Sequence, residues 1–332
     1  MWRKTMSNTG LSDNQIVSKI RSYQTTMKLC KFICVISYFC IIWFPLGLLF
    51  NYALGGRGMW KTITIVGVVS IPVAIICSKI SSKQASKLKT FVGEYVVKDV
   101  LAERLEVTQY TPSPKDTLDI IKKCTIIPKY DRITISDYIK GTYRGVALSY
   151  CDLHLEQEDT DTDDDGHTNT TYRTVFKGHL INLGLKQKIE GFVKIKERKN
   201  PRKEKEFLSN VFSGAADVLG IKTKDETIEV ENEVFNNQFE IRTSNQQMSF
   251  YILTPQFMEN IIKADEFAYG YTNIEFRGQN AFIALNTGRD SFEITKTVIS
   301  KKSLDNSRQQ MRGELNRILA VVDEILAKDN LF

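Results

Sequence analysis

The sequence lacks the short motifs that mark most enzyme active sites. It contains no G-x-S-x-G nucleophile elbow, no P-loop, no G-x-G-x-x-G turn and no H-E-x-x-H pair. No two carboxylates stand at a spacing that indicates general acid and base roles. We therefore expect no catalytic or cofactor-binding residues of a recognisable kind. An enzyme whose site is assembled from distant residues stays open as the alternative.

Cysteine and histidine are scarce, which limits the metal and disulfide sites that the chain can form. No two of the six cysteines have C-x-x-C spacing, which argues against a disulfide framework or a zinc ribbon and fits a reducing cytoplasm. A zinc site would need Cys151 with His154, His167 and His179. On one strand Cys151 and His154 point to opposite faces, so we expect no zinc.

The positive charge of the chain is confined to its beginning. Residues 1–89 hold 12 Lys and Arg and one acidic residue, whereas the remainder holds 33 basic and 38 acidic residues. The net charge of the larger part is therefore −5. A nucleic-acid-binding domain usually has a basic face, so we expect no nucleic-acid partner.

Two long apolar runs are the main positive feature of the sequence. Leu29–Phe50 is long enough to cross a bilayer as a helix and carries one charge, Lys31. Ile63–Cys77 reaches spanning length if the flanking lysines extend to the headgroups. We predict a transmembrane hairpin over residues 29–80, preceded by an N-terminal tail over 1–28 with a short interfacial helix around Ile16, Val17 and Ile20. Neither run has an ionisable residue in its middle, which argues against a channel or transporter.

Basic residues around the hairpin predict its orientation. The two flanks together carry eight Lys and Arg, against only Arg57 and Lys61 in the connecting turn. This asymmetry keeps both flanks in the cytoplasm, so both termini are expected inside a multi-pass cytoplasmic membrane protein. A cleaved signal peptide is disfavoured, because the first run is too long and a second apolar run follows it.

The remainder of the chain predicts an α+β fold. Residues 81–110 form a membrane-proximal amphipathic helix, and residues 111–200 have the period of two typical of an antiparallel β meander, with a solvated acidic loop over 156–171. Residues 201–332 mix helices and strands and end in a long helix. The expected fold is thus a transmembrane hairpin followed by a cytoplasmic, mostly antiparallel β domain with packing helices.

Several elements of the C-terminal part can be placed more closely. The sequence predicts an amphipathic helix over Lys205–Leu219, a β-hairpin made of Phe239–Thr243 and Met248–Leu253, and a final helix over about Asp305–Ala327. Thr254 followed by Pro255 predicts a helix start, because threonine caps and proline suits the first helical position.

One motif resembles a calcium loop. Asp161, Asp163 and Asp165 stand at alternate positions before Gly166, as in the first half of an EF-hand loop. The twelfth position is Tyr172 instead of a bidentate glutamate, and strands flank the loop. A solvated acidic loop is therefore favoured over a calcium site.

The chain resembles the bacterial membrane proteins of domain-of-unknown-function family 3137. The resemblance covers most of residues 30–295 and depends on the two-span start and on two blocks, YDRITISDYIKGTYRGVALSYCDLHL with VFKGHL, and IEVENEVFNNQFEIRTSNQQMSFYILTPQFMENI with IEFRGQNAFIAL. It implies an uncharacterised inner-membrane protein, sometimes encoded near LemA-type membrane proteins, with no catalytic residues to transfer.

Together these features predict a membrane-anchored cytoplasmic module for binding or assembly. Its expected partners are the lipid bilayer and either a protein, which the resemblance suggests is LemA-like, or a second copy of the chain. One alternative is a membrane-bound hydrolase or modifying enzyme. Another is a sensor of anionic lipid or envelope stress that uses the basic runs Lys79–Lys89 and Lys196–Lys205.

Overall fold

The computed structural model describes residues 11–53, 60–116, 118–162, 168–198, 226–268, 270–294, 297–328 and 331–332. The chain divides into two compact units. The first is drawn from residues up to Val96 together with Ile294–Arg308. The second, called the α+β domain below, comprises Val97–Glu293 and Gln309–Phe332.

The first unit is dominated by two long helices, α1 (Asp13–Ala53) and α2 (Trp60–Val92). Helix α1 begins at Asp13, so it includes the short helix predicted around Ile16–Ile20 and continues through the rest of the segment predicted as a tail over 1–28. One half of a capping box stabilises this start, because Gln15 Oε1 accepts a hydrogen bond of 2.9 Å from the backbone N–H of Ser12. The apolar run is the second part of a longer helix.

Small side chains line the contact between α1 and α2. Ser37 and Cys30 on α1 and Ala74 and Cys77 on α2 are buried, and a Cβ on Gly67 would collide with the ring of Phe44. Cys34 Sγ donates to the carbonyl oxygen of Ala74 at 3.6 Å. Small residues let two helix backbones approach closely, which is how helices associate where lipid surrounds them.

The outer faces of the same two helices carry large apolar side chains that no part of the described chain covers. Leu29 is 58% exposed, Ile42 72% and Ile65 62%. Two helical stretches among the described residues, Asp13–Phe44 and Ile65–Ala102, are long and apolar enough to cross a membrane. The two apolar helices predicted from the sequence are therefore present.

The α+β domain contains a seven-stranded antiparallel sheet, which confirms the predicted fold class. The strand order is β1-β2-β3-β4-β6-β5, and β7 also pairs with β4. The strands are β1 (Glu106–Thr111), β2 (Arg132–Tyr143), β3 (Val146–Thr162), β4 (Thr168–Glu197), β5 (Glu226–Ile228), β6 (Phe239–Thr243) and β7 (Tyr271–Asn286).

Strand β4 is the centre of the sheet because it is long enough to serve three neighbours. Its first part pairs with β3 and β7, and its last part pairs with β7 and β6. The β2–β3 hairpin closes through Arg144 and Gly145, which both have positive φ, the geometry that two-residue hairpin turns require.

The remaining helices are short except for two. They are α3 (Lys98–Ala102), α4 (Asp119–Lys123), α5 (Glu233–Gln238), α6 (Gln246–Ile252), α7 (Pro255–Ala268) and α8 (Lys301–Leu326). A π-helical segment, Gly93–Val97, precedes α3. The predicted helix start at Thr254-Pro255 and the predicted final helix are confirmed. The helix predicted over 81–110 ends at Ala102, and β1 occupies the end of that range.

The hairpin predicted for Phe239–Thr243 and Met248–Leu253 is wrong in its second half. Phe239–Thr243 is strand β6, but Gln246–Ile252 is helix α6. Asn245 caps this helix, since its Oδ1 accepts a hydrogen bond of 3.1 Å from the backbone N–H of Met248. The cap and not the apolar pattern decides the local structure. The helix predicted over Lys205–Leu219 lies outside the described residues.

The acidic segment predicted as a loop over 156–171 is mostly a two-stranded ribbon. Strands β3 and β4 stay paired out to Thr162 and Thr168, beyond Glu156, where β2 stops pairing with β3. Threonines face each other across the ribbon, as in the Thr160 and Thr170 pair, and threonine favours strands. This ribbon, residues 157–162 with 168–173, is called the β3–β4 arm.

Candidate functional site

Neighbouring strands bring an aspartate and a histidine together in the α+β domain. Asp152 on β3 and His179 on β4 are directly opposite each other in the sheet register. Tyr150 lies two residues before Asp152 and therefore on the same face of β3. All three side chains are buried, with Asp152 only 1% exposed. The pairing makes a polar cluster inside an otherwise apolar layer.

Asp152 is the acceptor that organises this cluster. Its Oδ1 accepts hydrogen bonds from the hydroxyl of Tyr150 and, at 2.6 Å, from His179 Nδ1. Its Oδ2 accepts a hydrogen bond of 2.7 Å from the backbone N–H of Ser291, which follows β7. Because Nδ1 donates to a carboxylate, this network assigns the proton of neutral His179 to Nδ1 and leaves Nε2 as an acceptor.

Two hydroxyl groups face the free nitrogen of His179. Ser291 Oγ lies 3.5 Å from Nε2, and Thr287 Oγ1 lies 3.4 Å from it. The hydroxyl of Thr287 donates to the carbonyl oxygen of Arg289 at 3.3 Å. The Thr287 hydroxyl therefore has another acceptor, and Ser291 Oγ, which also hydrogen-bonds with Tyr150, is the second hydroxyl beside Nε2. The order Asp152, His179, Ser291 is the arrangement of an acid, a base and a nucleophile.

The cluster opens into a cavity of about 170 Å³. One wall is apolar and includes Phe267 and Leu285, whereas charged residues surround the remainder. The residues that line the cavity are His179, Phe267, Ala268, Leu285, Thr287, Arg289, Asp290, Ser291, Glu314, Arg317, Ile318 and Val321. A concave, partly apolar space with a few convergent polar groups is the usual form of a small-molecule site.

The segment that carries Ser291 is fastened to β4 by backbone contacts. Asn286 Oδ1 accepts a hydrogen bond of 3.0 Å from the N–H of Lys177, and Gly288 N–H donates to the Lys177 carbonyl at 2.8 Å. Lys177 Nζ also lies 3.3 Å from a carboxylate oxygen of Asp290. A Cβ on Gly178 would collide with the backbone of Leu285. Glycine at this position lets the two chains meet closely enough to place Ser291 beside His179.

Burial raises the pKa of Tyr150 in the cluster and of two cysteines in the hydrophobic core of the same domain. It raises the pKa of Tyr150 well above its ordinary value, and the neighbouring Asp152 carboxylate adds to the effect. Burial also raises the pKa of the Cys124 thiol to about 12. The buried Cys151 thiol has a raised pKa for the same reason. Both thiols stay protonated near neutral pH, so neither is an activated nucleophile.

The residues considered for metal binding do not come together. Among the described residues no group of three or more His, Cys, Asp and Glu side chains is placed to hold a metal ion. His154 Nε2 contacts Thr174 Oγ1 at 2.9 Å, while His179 binds Asp152. The side chain of Asp161, together with the whole of Asp163, Asp165 and His167, lies outside the described structure. The disfavoured alternative, a calcium site in this loop, is therefore untested.

The sequence indicates His179 only as a zinc ligand and contains no local signal for Asp152 or Ser291. The signal that identifies them is the register of the β3–β4 hairpin, which places Asp152 opposite His179. Alternation along each strand predicts which face a side chain takes but not which residue it meets across the pair. Ser291 lies 112 residues after His179, so no local spacing connects the two.

Comparisons with known proteins connect the domain to a family without an established function. Residues 174–326 match the family described as protein of unknown function (DUF3137), which confirms the resemblance inferred from the sequence. No curated protein matches the chain. The crystal structure of the mycobacterial trehalose monomycolate transport factor A, TtfA, is similar at 10% identity and a TM-score of 0.32, covering 66% of this chain and 91% of that one. This similarity is too low to transfer fold or function.

Proposed function

Because residues 174–326 carry the DUF3137 family domain, whose function is unknown, we propose a function from the structure itself. The chain is a membrane-anchored module whose cytoplasmic α+β domain binds a partner protein at the inner face of a bacterial cytoplasmic membrane. One observation is the main support for membrane anchoring. Among the described side chains of α1 and α2, sixteen large apolar ones between Leu29 and Ile80 are exposed, which water disfavours and lipid accepts.

The distribution of basic residues supports the proposed orientation. Lys28 precedes the first apolar stretch, Lys31 lies near its start, and Lys79 and Lys83 follow the second. Positive residues near the ends of a span are retained on the cytoplasmic side. In this orientation both termini and the whole α+β domain are cytoplasmic.

The exposed surface of the β3–β4 arm favours the binding of a partner protein. Glu158–Thr160 and Thr168–Tyr172 are exposed, and no third strand within the described part of the chain flanks them. A two-stranded ribbon has little stability of its own, yet this one extends a polar, acidic surface away from the core of the domain. Its chemistry suits a partner with a basic surface. A LemA-like protein is the specific candidate that the family resemblance suggests.

The anchor is tested by extraction and protease protection. We expect alkaline carbonate to leave the full chain in the membrane pellet, because lipid burial of apolar helices is independent of ionic contacts. Protease added outside spheroplasts should spare the β3–β4 arm, and the same protease should cleave it in inverted vesicles. Release by carbonate, or cleavage of the arm in intact spheroplasts, would contradict the proposal.

The partner is tested by site-specific crosslinking in native membranes. A photoreactive residue in place of Thr170, at the exposed side of the arm, should capture a protein, whereas the same residue in place of buried Ile283 should capture only the chain itself. Replacing Glu158 and Asp159 with lysine should abolish the capture at Thr170, because the surface reverses its charge. Crosslinks to lipid alone at Thr170 would refute a protein partner at the arm.

A membrane-bound enzyme is the second candidate, and one observation favours it. The cavity in the α+β domain holds an imidazole nitrogen and a serine hydroxyl 3.5 Å apart, with a buried carboxylate behind the imidazole. This candidate is compatible with the same anchor.

A further inference from the structure

We propose that Ser291 is a nucleophile, activated by His179 and Asp152, that accepts short acyl groups from esters. This proposal rests on the second candidate function, a membrane-bound enzyme, and names its reaction class and its reacting residues. It does not depend on the membrane anchor or on the β3–β4 arm. The proposal depends on the convergence of three side chains at one cavity: Asp152 from β3, His179 from β4 and Ser291 from the segment after β7.

The geometry supplies each part of an activated serine. The Asp152 carboxylate holds His179 through a hydrogen bond of 2.6 Å at Nδ1, which leaves Nε2 directed at Ser291 Oγ. The separation of 3.5 Å between Nε2 and Oγ is longer than a working hydrogen bond, as is common before a substrate binds. Such a triad is recognised by geometry and not by the position of its residues in the sequence.

The cavity restricts the substrate to small esters. A volume of about 170 Å³ accommodates a short acyl group with little to spare. Phe267, Leu285 and Ile318 offer the acyl chain an apolar wall, while Arg289, Arg317, Asp290 and Glu314 place charges of both signs on the same cavity. A short-chain ester with a polar alcohol part matches this combination of surfaces.

The backbone donors that usually stabilise an oxyanion are engaged in this site. The N–H of Ser291 donates to Asp152, and the N–H of Phe292 donates to Glu314 Oε2 at 2.9 Å. Losing one oxyanion donor lowers a rate by about 10²–10³. We therefore expect reaction with activated esters and slow release of the acyl group, so that the acyl-enzyme accumulates.

The chemical step balances without any external oxidant or reductant. Ser291 Oγ attacks the ester carbonyl carbon, its proton passes to His179 Nε2, and the bond from the carbonyl carbon to the alcohol oxygen breaks. The alcohol leaves with the bonding electron pair and takes the proton from His179. Water then attacks the acyl-serine with His179 as the base, which releases a carboxylic acid and restores Ser291.

The experiment uses the full chain in detergent with p-nitrophenyl acetate as the probe. We expect a burst of p-nitrophenolate close to one equivalent, with the acetyl group on Ser291 in peptide mass spectra. Ser291→Ala and His179→Gln should each lower the burst rate at least about tenfold, because each removes a reacting group. Ser249→Ala is the matched control, since the hydroxyl of this buried serine donates to the Asn245 carbonyl, and its burst should be unchanged.

The position of the acetyl group in the natural chain tests the proposal even if a variant fails to fold. An acetyl group on Thr287 or on surface lysines, with Ser291 unmodified in the natural chain, would overturn the proposal. An absent burst in chain that shows a cooperative thermal transition would overturn it as well. Either result leaves the carbonate and protease tests of the anchor unaffected, so the two proposals fail separately.

Discussion

Replacing Asp152 with alanine is expected to lower the free energy of unfolding of the α+β domain by about 4 kcal/mol. The substitution leaves three buried donors without their acceptor: the Tyr150 hydroxyl, His179 Nδ1–H and the Ser291 N–H. Each buried unsatisfied group costs about 1–3 kcal/mol. Thermal unfolding of the full chain in detergent, followed by circular dichroism, should show the melting temperature of the domain falling by about 10 °C.

Asp131 provides the control for this substitution. It also accepts a backbone hydrogen bond, from Glu158 at 2.8 Å, but it is exposed. Water replaces a lost partner at an exposed site, so Asp131→Ala should lower the stability by no more than about 1 kcal/mol. Equal losses for the two variants would mean that Asp152 does not organise a buried network.

Replacing Gly178 with alanine is expected to destabilise the same domain by about 3 kcal/mol. An added Cβ would lie less than 3.0 Å from backbone atoms of both Leu285 and Thr287. Backbone atoms within a sheet cannot move aside as a flexible side chain does, so β4 and β7 must separate at this point. The shift acts next to His179, and we therefore expect hydrogen exchange of the β7 amides near Leu285 to accelerate as the stability falls.

Gly313 on α8 is a glycine with the opposite expectation. A Cβ there meets nothing within 4 Å, and the residue lies inside a helix. Gly313→Ala should stabilise the domain by about 0.5–1 kcal/mol, because alanine loses less backbone freedom on folding. A stabilising Gly178→Ala substitution, or a strongly destabilising Gly313→Ala substitution, would contradict the described packing.

Local patterns in the sequence predict those elements whose signal lies within one segment. The apolar runs predict α1 and α2, the dipeptide Thr254-Pro255 predicts the start of α7, and the apolar stripe near the C terminus predicts α8. Each signal is a periodicity or a capping preference, which acts over a few residues.

Capping residues explain two places where the structure differs from the elements predicted by apolar patterns. Gln15 with Ser12 extends α1 toward the N terminus, and Asn245 converts a segment of strand-like composition into helix α6. In both places a polar side chain bonds the backbone, and the apolar pattern alone does not show this. The threonines of the β3–β4 arm act similarly, because their preference for strands outweighs the polarity that suggested a loop.

The candidate site could not be predicted from local sequence patterns, for a different reason. Its residues come from β3, β4 and the segment after β7, and they meet only once the strand register is fixed. Register depends on turn geometry and on which apolar face is buried across the whole sheet. Asp152 and Ser291 are ordinary residues in the sequence and become distinctive only because the fold brings both beside His179.

Strand β4 connects the two regions of the domain to which we assign binding. It is one strand that begins at Thr168, at the outer end of the described β3–β4 arm, passes through His179 and ends at Glu197. Thr168 and His179 are separated by about 36 Å of extended backbone at the usual rise per residue. His179 is therefore joined to the arm through the backbone of a single strand, so the exposed surface of the arm and the cavity belong to the same element of the sheet.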